Sequence, residues 1–230
     1  DPGILEEFKR AVDESVTQYT FNAGDTVLRN AFAQHLKSYN VNVIGDDVFV
    51  TAGATHGIAA VVGSLINPGE VVLIPDPGYP NYRNVVSHYG GRCIFYNLFA
   101  AKNFLPDLDE IEWLLKHHRR VKAIIVNSPS NPTGVVLDEH TFSRIIDMCN
   151  DKGVFIISDE VYDGLTYRMN HFYPLSKYRD AENIVSLYSM SKVYNLCGLR
   201  VGYVLSKNAK LKDNLLKSNE MYISCVSPLS

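Results

Sequence analysis

The pattern of apolar and polar positions changes rhythm near residue 40. Before it, apolar residues recur at helical spacing over about 3–17 and 25–39, with Leu28, Phe32 and Leu36 on one stripe of the second segment. After it, short apolar runs at 48–51, 71–75, 92–98, 123–127, 154–158, 184–188 and 199–205 alternate with helical stretches. Ile124-Ile125-Val126 and Val154-Phe155-Ile156-Ile157 are apolar at every position. Such runs suit strands covered on both faces of a mainly parallel sheet. The clearest intervening helix falls at about 139–151, with Phe142, Ile145, Ile146 and Cys149 on one stripe, Asp138 as N-cap and Gly153 as terminator. A last helix is expected at about 208–222. The alternation predicts an α/β fold with a mainly parallel central sheet and helices on both faces.

Composition narrows the function classes. With 46% hydrophobic and 20% charged residues among 230, the chain is long enough for one large domain or a domain plus part of another. A net charge of −3 gives no field for a polyanion, so nucleic acid is not an expected partner. No run is long and apolar enough to span a bilayer. The opening Asp1-Pro2-Gly3-Ile4 lacks a secretory pattern, so a cytoplasmic location is the default expectation. Cys93, Cys149, Cys197 and Cys225 are scattered without C-x-x-C spacing, so they are expected to be reduced thiols, with no metal site. The chain has no initiating Met and stops soon after the last helix, as if cut at both ends.

In open α/β sheets, ligands gather beyond the carboxyl ends of the strands, and four such ends carry polar chemistry. After 48–51, Gly53-Ala54-Thr55 enters a helix whose first N–H groups and threonine hydroxyl suit a phosphate; a plain strand-to-helix turn is the competing reading. After 123–127 comes Asn127-Ser128-Pro129-Ser130-Asn131-Pro132-Thr133-Gly134, either a simple turn or a rigid loop that aims the Asn131 amide into a cleft. After 154–158 come Asp159 and, three residues on, Tyr162. A carboxylate so close to an apolar strand needs a partner: a helix cap, a salt bridge, or a cationic ligand atom such as a protonated pyridine nitrogen. After 184–188 comes Ser189-Met190-Ser191-Lys192, whose amine would sit where a buried strand meets the cleft, placed as a nucleophile. Arg200, between apolar residues and glycines, is expected to open the 199–205 strand and bind an anion, with a structural salt bridge as the competitor.

Taken together, these residues resemble a known family. The run Ser189-Met190-Ser191-Lys192-Val193-Tyr194-Asn195-Leu196-Cys197-Gly198-Leu199-Arg200-Val201-Gly202 is similar to the lysine signature of class I/II aminotransferases, the fold type I enzymes that use pyridoxal 5'-phosphate (PLP). Asn131-Pro132-x-Gly134 and Asp159-x-x-Tyr162 match in the same chain order, and the resemblance covers nearly the whole sequence. It implies that Lys192 holds PLP as a Schiff base and that Asp159 keeps the pyridine nitrogen protonated. Asn131 and Tyr162 then bond the ring hydroxyl oxygen, and Tyr79 stacks on the ring. Ala54, Thr55, Ser189 and Arg200 take the phosphate, and the cofactor-binding set also includes Gly53 and Ser191. Lys192, Asp159 and Tyr162 are the implied catalytic residues. Tyr19 looks like the tyrosine that reaches the phosphate of the neighbouring subunit, which implies a homodimer.

The resemblance also implies an organisation and an activity. Residues 1–40 would form an N-terminal helical segment and 41–206 the PLP-binding large domain. Residues 207–230 would start the helix leading to a C-terminal small domain that is largely missing. That domain supplies the family's arginine for the substrate carboxylate, and no arginine here matches it. The implied activity moves an amino group between an amino acid and a 2-keto acid. Another fold type I PLP enzyme (a lyase, decarboxylase or synthase) and an aminotransferase-like sensor domain remain alternatives. A nicotinamide-binding protein ranks below them, because no G-x-G-x-x-G follows the first strand.

Overall fold

Each of the seven apolar runs forms a strand. A computed structural model describes residues 2–14, 16–167 and 170–229. The strands are Val48–Thr51 (β1), Val71–Asp76 (β2), Arg92–Asn97 (β3), Val121–Asn127 (β4), Phe155–Asp159 (β5), Ile184–Ser189 (β6) and Gly202–Ser206 (β7). They pair into one sheet in the order β1-β7-β6-β5-β4-β2-β3. Strand β7 runs antiparallel to both of its neighbours, and the other pairs are parallel. The α/β expectation therefore holds, with one reversed strand inserted beside the edge.

The helices are Pro2–Asp13 (α1), Thr26–Lys37 (α2), Gly53–Leu65 (α3), Asn81–His88 (α4), Leu108–His117 (α5), Glu139–Asn150 (α6), Pro174–Lys177 (α7), Met190–Val193 (α8) and Ala209–Tyr222 (α9). They cover both faces. Ile124, Val126 and Ile156 pack with Phe32 and Leu36 of α2, Ile111 and Leu114 of α5, and Phe142, Ile145, Ile146 and Cys149 of α6. Ala123, Ile125 and Ile157 turn the other way, toward Ile58 and Val61 of α3, Tyr82 and Val86 of α4, and Leu211 and Leu215 of α9. The two-residue period of the strands thus feeds two cores. Burying each large apolar side chain is worth about 1.5–3 kcal/mol, and a one-residue slip would exchange the faces, so the register is firmly set.

The caps follow local chemistry. Asp138 accepts a hydrogen bond from the Thr141 N–H at 2.7 Å, and Gly153 follows α6 with φ +64°. Helix α1 stops at Asp13, short of the expected 17, and Ser15 lies outside the described residues. Leu5, Phe8 and Val12 form an exposed apolar stripe on α1. Helix α9 lies along α3, and its buried Asn219 donates to the carbonyls of Asn22 and Val50 at 2.8 and 3.3 Å.

One expected element is corrected. The apolar pattern predicts a strand over 199–205 opened by Arg200, but β7 begins at Gly202. Cys197–Leu199 forms a 3-10 turn, and Arg200 adopts the left-handed conformation with φ +58°. The chain must reverse there to run antiparallel to β6, and the tight turn takes up residues that an apolar pattern assigns to the strand.

Candidate active site

Four strand ends converge on one cavity of about 210 Å³. Its lining contains Ala54, Thr55, Tyr79, Asn131, Asp159, Tyr162, Ser189, Ser191, Lys192 and Arg200, together with Ile58, Tyr82, Asn127, Val161 and Cys197. Ten of the twelve residues singled out from sequence therefore line one cavity. The other two, Gly53 and Tyr19, lie outside it. Gly53 acts through its backbone, as described below. Tyr19 is 88% exposed and does not line the cavity.

Asp159 ends β5 on the cavity floor, and only 3% of it is exposed. Its neighbours hold both carboxylate oxygens: the Tyr82 hydroxyl donates to Oδ2 at 2.5 Å, and the Val161 N–H donates to Oδ1 at 3.3 Å. Asn127, at the end of β4, donates from Nδ2 to the Asp159 carbonyl at 2.9 Å and accepts the Asn131 N–H on Oδ1 at 2.7 Å. One asparagine thus fixes both the floor and the Asn131 loop, whose Ser128-Pro129 and Asn131-Pro132 peptides are cis. Burial pushes the Asp159 carboxyl up to about 6; the two hydrogen bonds pull it down, and the charge of neighbouring Glu160 pushes it further up. No cation pairs with Asp159 among the described residues. A buried carboxylate in this state favours a positively charged atom placed over it.

Lys192 is held differently. Ser189 ends β6 and caps α8, accepting the Ser191 N–H on Oγ at 3.1 Å, and α8 swings Lys192 to the mouth of the cavity. Lys192 is exposed there, with Nζ 5.9 Å from the centre of the Tyr162 ring. Among the described residues, the side chains of Lys192, Thr55, Asn131 and Tyr162 make no hydrogen bond to the protein. They face the cavity as free donors and acceptors. Tyr79 stands edge-on to Tyr82, with ring centres 5.5 Å apart.

The opposite wall is built for an anion. Helix α3 begins with no side-chain cap, which leaves its first N–H groups directed at the cavity beside Ala54 and Thr55. Arg200 comes alongside, donating to the Cys197 carbonyl at 2.8 Å and the Ala52 carbonyl at 3.4 Å. Two glycines permit this approach. Gly53 has φ +76°, and a Cβ on it would come within 2.3 Å of Arg200 Nη2. A Cβ on Gly202 would meet the Tyr188 carbonyl at 2.7 Å and the Ala54 nitrogen at 2.9 Å.

Sequence reasoning gave no role to Tyr82, Ile58, Val161 or Cys197, and it did not see Asn127 as a strut. For Tyr82 a signal existed: it lies three residues beyond Tyr79, so the opening turn of α4 carries it back toward the same cavity. The residues fit PLP, with a buried carboxylate for the pyridinium, a free amine for the aldehyde, open N–H groups and an arginine for the phosphate, and a tyrosine for the ring.

Comparison with known proteins gives the same answer. The model of the aminotransferase class I and II family matches residues 2–230. An aspartate aminotransferase of Pyrococcus horikoshii is 35% identical over 211 residues, covering 91% of this chain and 53% of its own length. The solved structure of a Thermotoga maritima aspartate aminotransferase superposes with a TM-score of 0.94 at 30% identity, covering 100% of this chain and 60% of its own. That of an alanine aminotransferase from Pyrococcus furiosus gives 0.92 at 30% identity, covering 100% and 59%. The chain thus spans a little over half the length of the relatives it matches. Class I and II members are PLP-dependent. The matched family model, the strand-end cavity and the lysine turn agree: this chain belongs to the class I and II aminotransferase family.

Proposed function

We propose that this chain forms the cofactor-binding core of an aminotransferase that moves an amino group between an amino acid and a 2-keto acid. One observation carries the reading: a lysine at the edge of a cavity whose floor is a buried carboxylate with no cation partner among the described residues. When bound, PLP supplies an electron sink for the pair left by Cα–H cleavage. Lys192 would hold the cofactor through its amine and, once freed by the incoming amine, would carry the proton taken from the substrate Cα as base and return it as acid. Asp159 would favour a protonated pyridine nitrogen by opposite charge. Asn131 and Tyr162 hold the ring oxygen. Thr55, Ser189, Arg200 and the open N–H groups of α3 hold the phosphate.

The rest of the working enzyme is part of the same proposal. Exposed Tyr19 and the apolar stripe Leu5, Phe8 and Val12 suit a second copy of the chain, giving a homodimer. A further domain following residues 207–230 would complete the substrate pocket and bring the substrate carboxylate's partner. Four free cysteines suit a reducing, cytoplasmic setting. The test is an absorption spectrum with PLP, before and after a panel of amino acids. A visible band that one amino acid bleaches and a keto acid restores is the expected result, and it names the donor class. A band that no donor moves, in the full-length enzyme, would turn the reading to a different PLP reaction. No band at all would overturn the cofactor assignment.

A further inference from the structure

Behind the cavity lies a second group of ionisable residues that the proposed chemistry does not use. Glu160 follows Asp159 directly and is completely buried. Its Oε2 meets His171 Nε2 at 3.0 Å, with the two side chains 0% and 2% exposed, and it accepts the Tyr188 hydroxyl at 3.1 Å. Tyr188 is the residue before Ser189, the cap of α8. Glu160 therefore ties the exit of β5 to the exit of β6 and ties both to the 171–173 segment. A second link joins the loop after β5 to the same segment, since the Tyr173 hydroxyl donates to Asp163 Oδ2 at 3.2 Å. The Tyr188 ring is itself stacked on Tyr203 of β7, with centres 4.7 Å apart.

These ties matter because of what lies behind Lys192. A second cavity of about 250 Å³ opens at the back of the α8 turn, lined in part by Asp163, Gly164, Ser189, Val193 and Tyr194. A turn of only four residues backed by a cavity has little packing to fix its direction. Met190 anchors its start, packing against the core and donating its N–H to the Val201 carbonyl at 3.0 Å, while its far end rests on the β5 loop, where a Cβ on Gly164 would come within 2.7 Å of Val193 Cγ1. That loop also carries Tyr162. The group that anchors the loop therefore sets the relation between Tyr162 and Lys192.

We propose that Glu160, His171 and Tyr188 form a buried positioning unit that fixes the direction in which the β5 loop presents Tyr162 and the α8 turn presents Lys192. None of the three lines the cofactor cavity, so they act through their neighbours. Removing the partner of a buried polar group costs enough to shift a local opening equilibrium by about tenfold. The consequence for cofactor binding rests on the aminotransferase reading; the local ordering does not.

The test uses amide hydrogen exchange on the protein without cofactor, together with PLP affinity from its visible band. Tyr188→Phe removes a single hydroxyl and is the mildest variant; His171→Ala removes the imidazole, and His171→Gln restores a donor. In Tyr188→Phe and His171→Ala, protection of the Asp163, Leu165 and Ser191 amides should fall about tenfold, while the Ile157 and Val185 amides of the sheet keep theirs. PLP affinity should fall by roughly the same factor, and His171→Gln should recover most of both. A uniform loss of protection across loop and sheet would reduce the group to general stability and overturn the proposal, as would unchanged protection at all five amides. Should His171→Ala not fold, Tyr188→Phe still decides. A wild-type chain that takes up no PLP would sink the aminotransferase reading, while the exchange measurement would still decide the positioning role.

Discussion

The ends of β5 and β6 are neighbours in the sheet and carry opposite charges, yet the fold treats them in opposite ways. Asp159 is sealed, with both carboxylate oxygens and its carbonyl taken by Tyr82, Val161 and Asn127. Lys192 is exposed, and its amine has no hydrogen-bonding partner among the described residues. In the proposed reaction the difference has a cause. A counter-charge to a ring nitrogen does one thing throughout and gains from being fixed. An amine that bonds the cofactor, leaves it and then ferries a proton must remain free to move. The anion is accordingly built into the sheet, and the cation is set on a four-residue turn just beyond it.

The largest expected effect comes from the free end. Lys192→Ala should lower turnover of the full-length enzyme by roughly 10⁴-fold or more, since nucleophile and proton carrier vanish together. Because the exposed side chain makes no hydrogen bond or salt bridge among the described residues and only a distant contact with the Tyr162 ring, stability should change by only about 0.5 kcal/mol. Steady-state rates and a urea titration check the two halves. A large loss of stability would show that Lys192 is a structural residue and would break the comparison.

The sealed end should answer in the reverse sense. Asp159→Asn should lower turnover by about 10²–10³-fold through the lost counter-charge, yet it should stabilise the protein without cofactor. The carboxyl sits at about 6 in the folded chain against an ordinary 3.8, a rise worth up to about 3 kcal/mol. The folded protein therefore binds a proton that the unfolded chain has released, and wild-type stability falls as pH climbs from about 3.8 to about 6. Above that window the cost is complete, and below it the cost vanishes. The variant should thus be more stable than wild type at pH 8 and equal to it near pH 4. Urea midpoints at the two pH values decide, and a variant less stable at pH 8 would show that the carboxylate contributes to stability rather than opposing it.

How far these two ends could be read from the sequence follows from what each depends on. β5 and β6 were legible because Ile156-Ile157 and Ile184-Val185 are apolar on both faces, and the residues after them had to be Asp159 and Ser189-Met190-Ser191-Lys192. Arg200 was legible as a residue of the cavity but not as a left-handed turn, because the reversal into β7 is set by antiparallel pairing with β6 and β1, which no local pattern records. Tyr82 and Asn127 were hidden for another reason. An aromatic residue on an apolar helix stripe and a polar residue closing a strand have the same sequence signature whether or not their polar atoms meet a carboxylate. Tyr82 lies 77 residues from Asp159, and His171 meets Glu160 across a loop, so only the packed sheet brings them together.

The smallest expected effect tests how the seal itself works. Tyr82→Phe keeps the ring, and with it the contact to Tyr79 and the core, but removes the hydroxyl that donates to Asp159 Oδ2. A hydrogen bond to a charged acceptor is worth about 1.5–3 kcal/mol, so turnover should fall by roughly 10- to 100-fold, no more than the loss in Asp159→Asn. The sign of the pH effect is fixed by which form the bond favours. The Tyr82 hydroxyl lowers the Asp159 carboxyl by stabilising its charged form, so removing it lets burial push the group higher. The stability that wild type loses by about pH 6 should then still be declining above pH 6 in the variant without cofactor. Urea midpoints collected between pH 5 and 8 would show the shift. If the two curves run parallel, Tyr82 only packs against the carboxylate, and the seal on Asp159 is the work of the Val161 N–H and of burial alone.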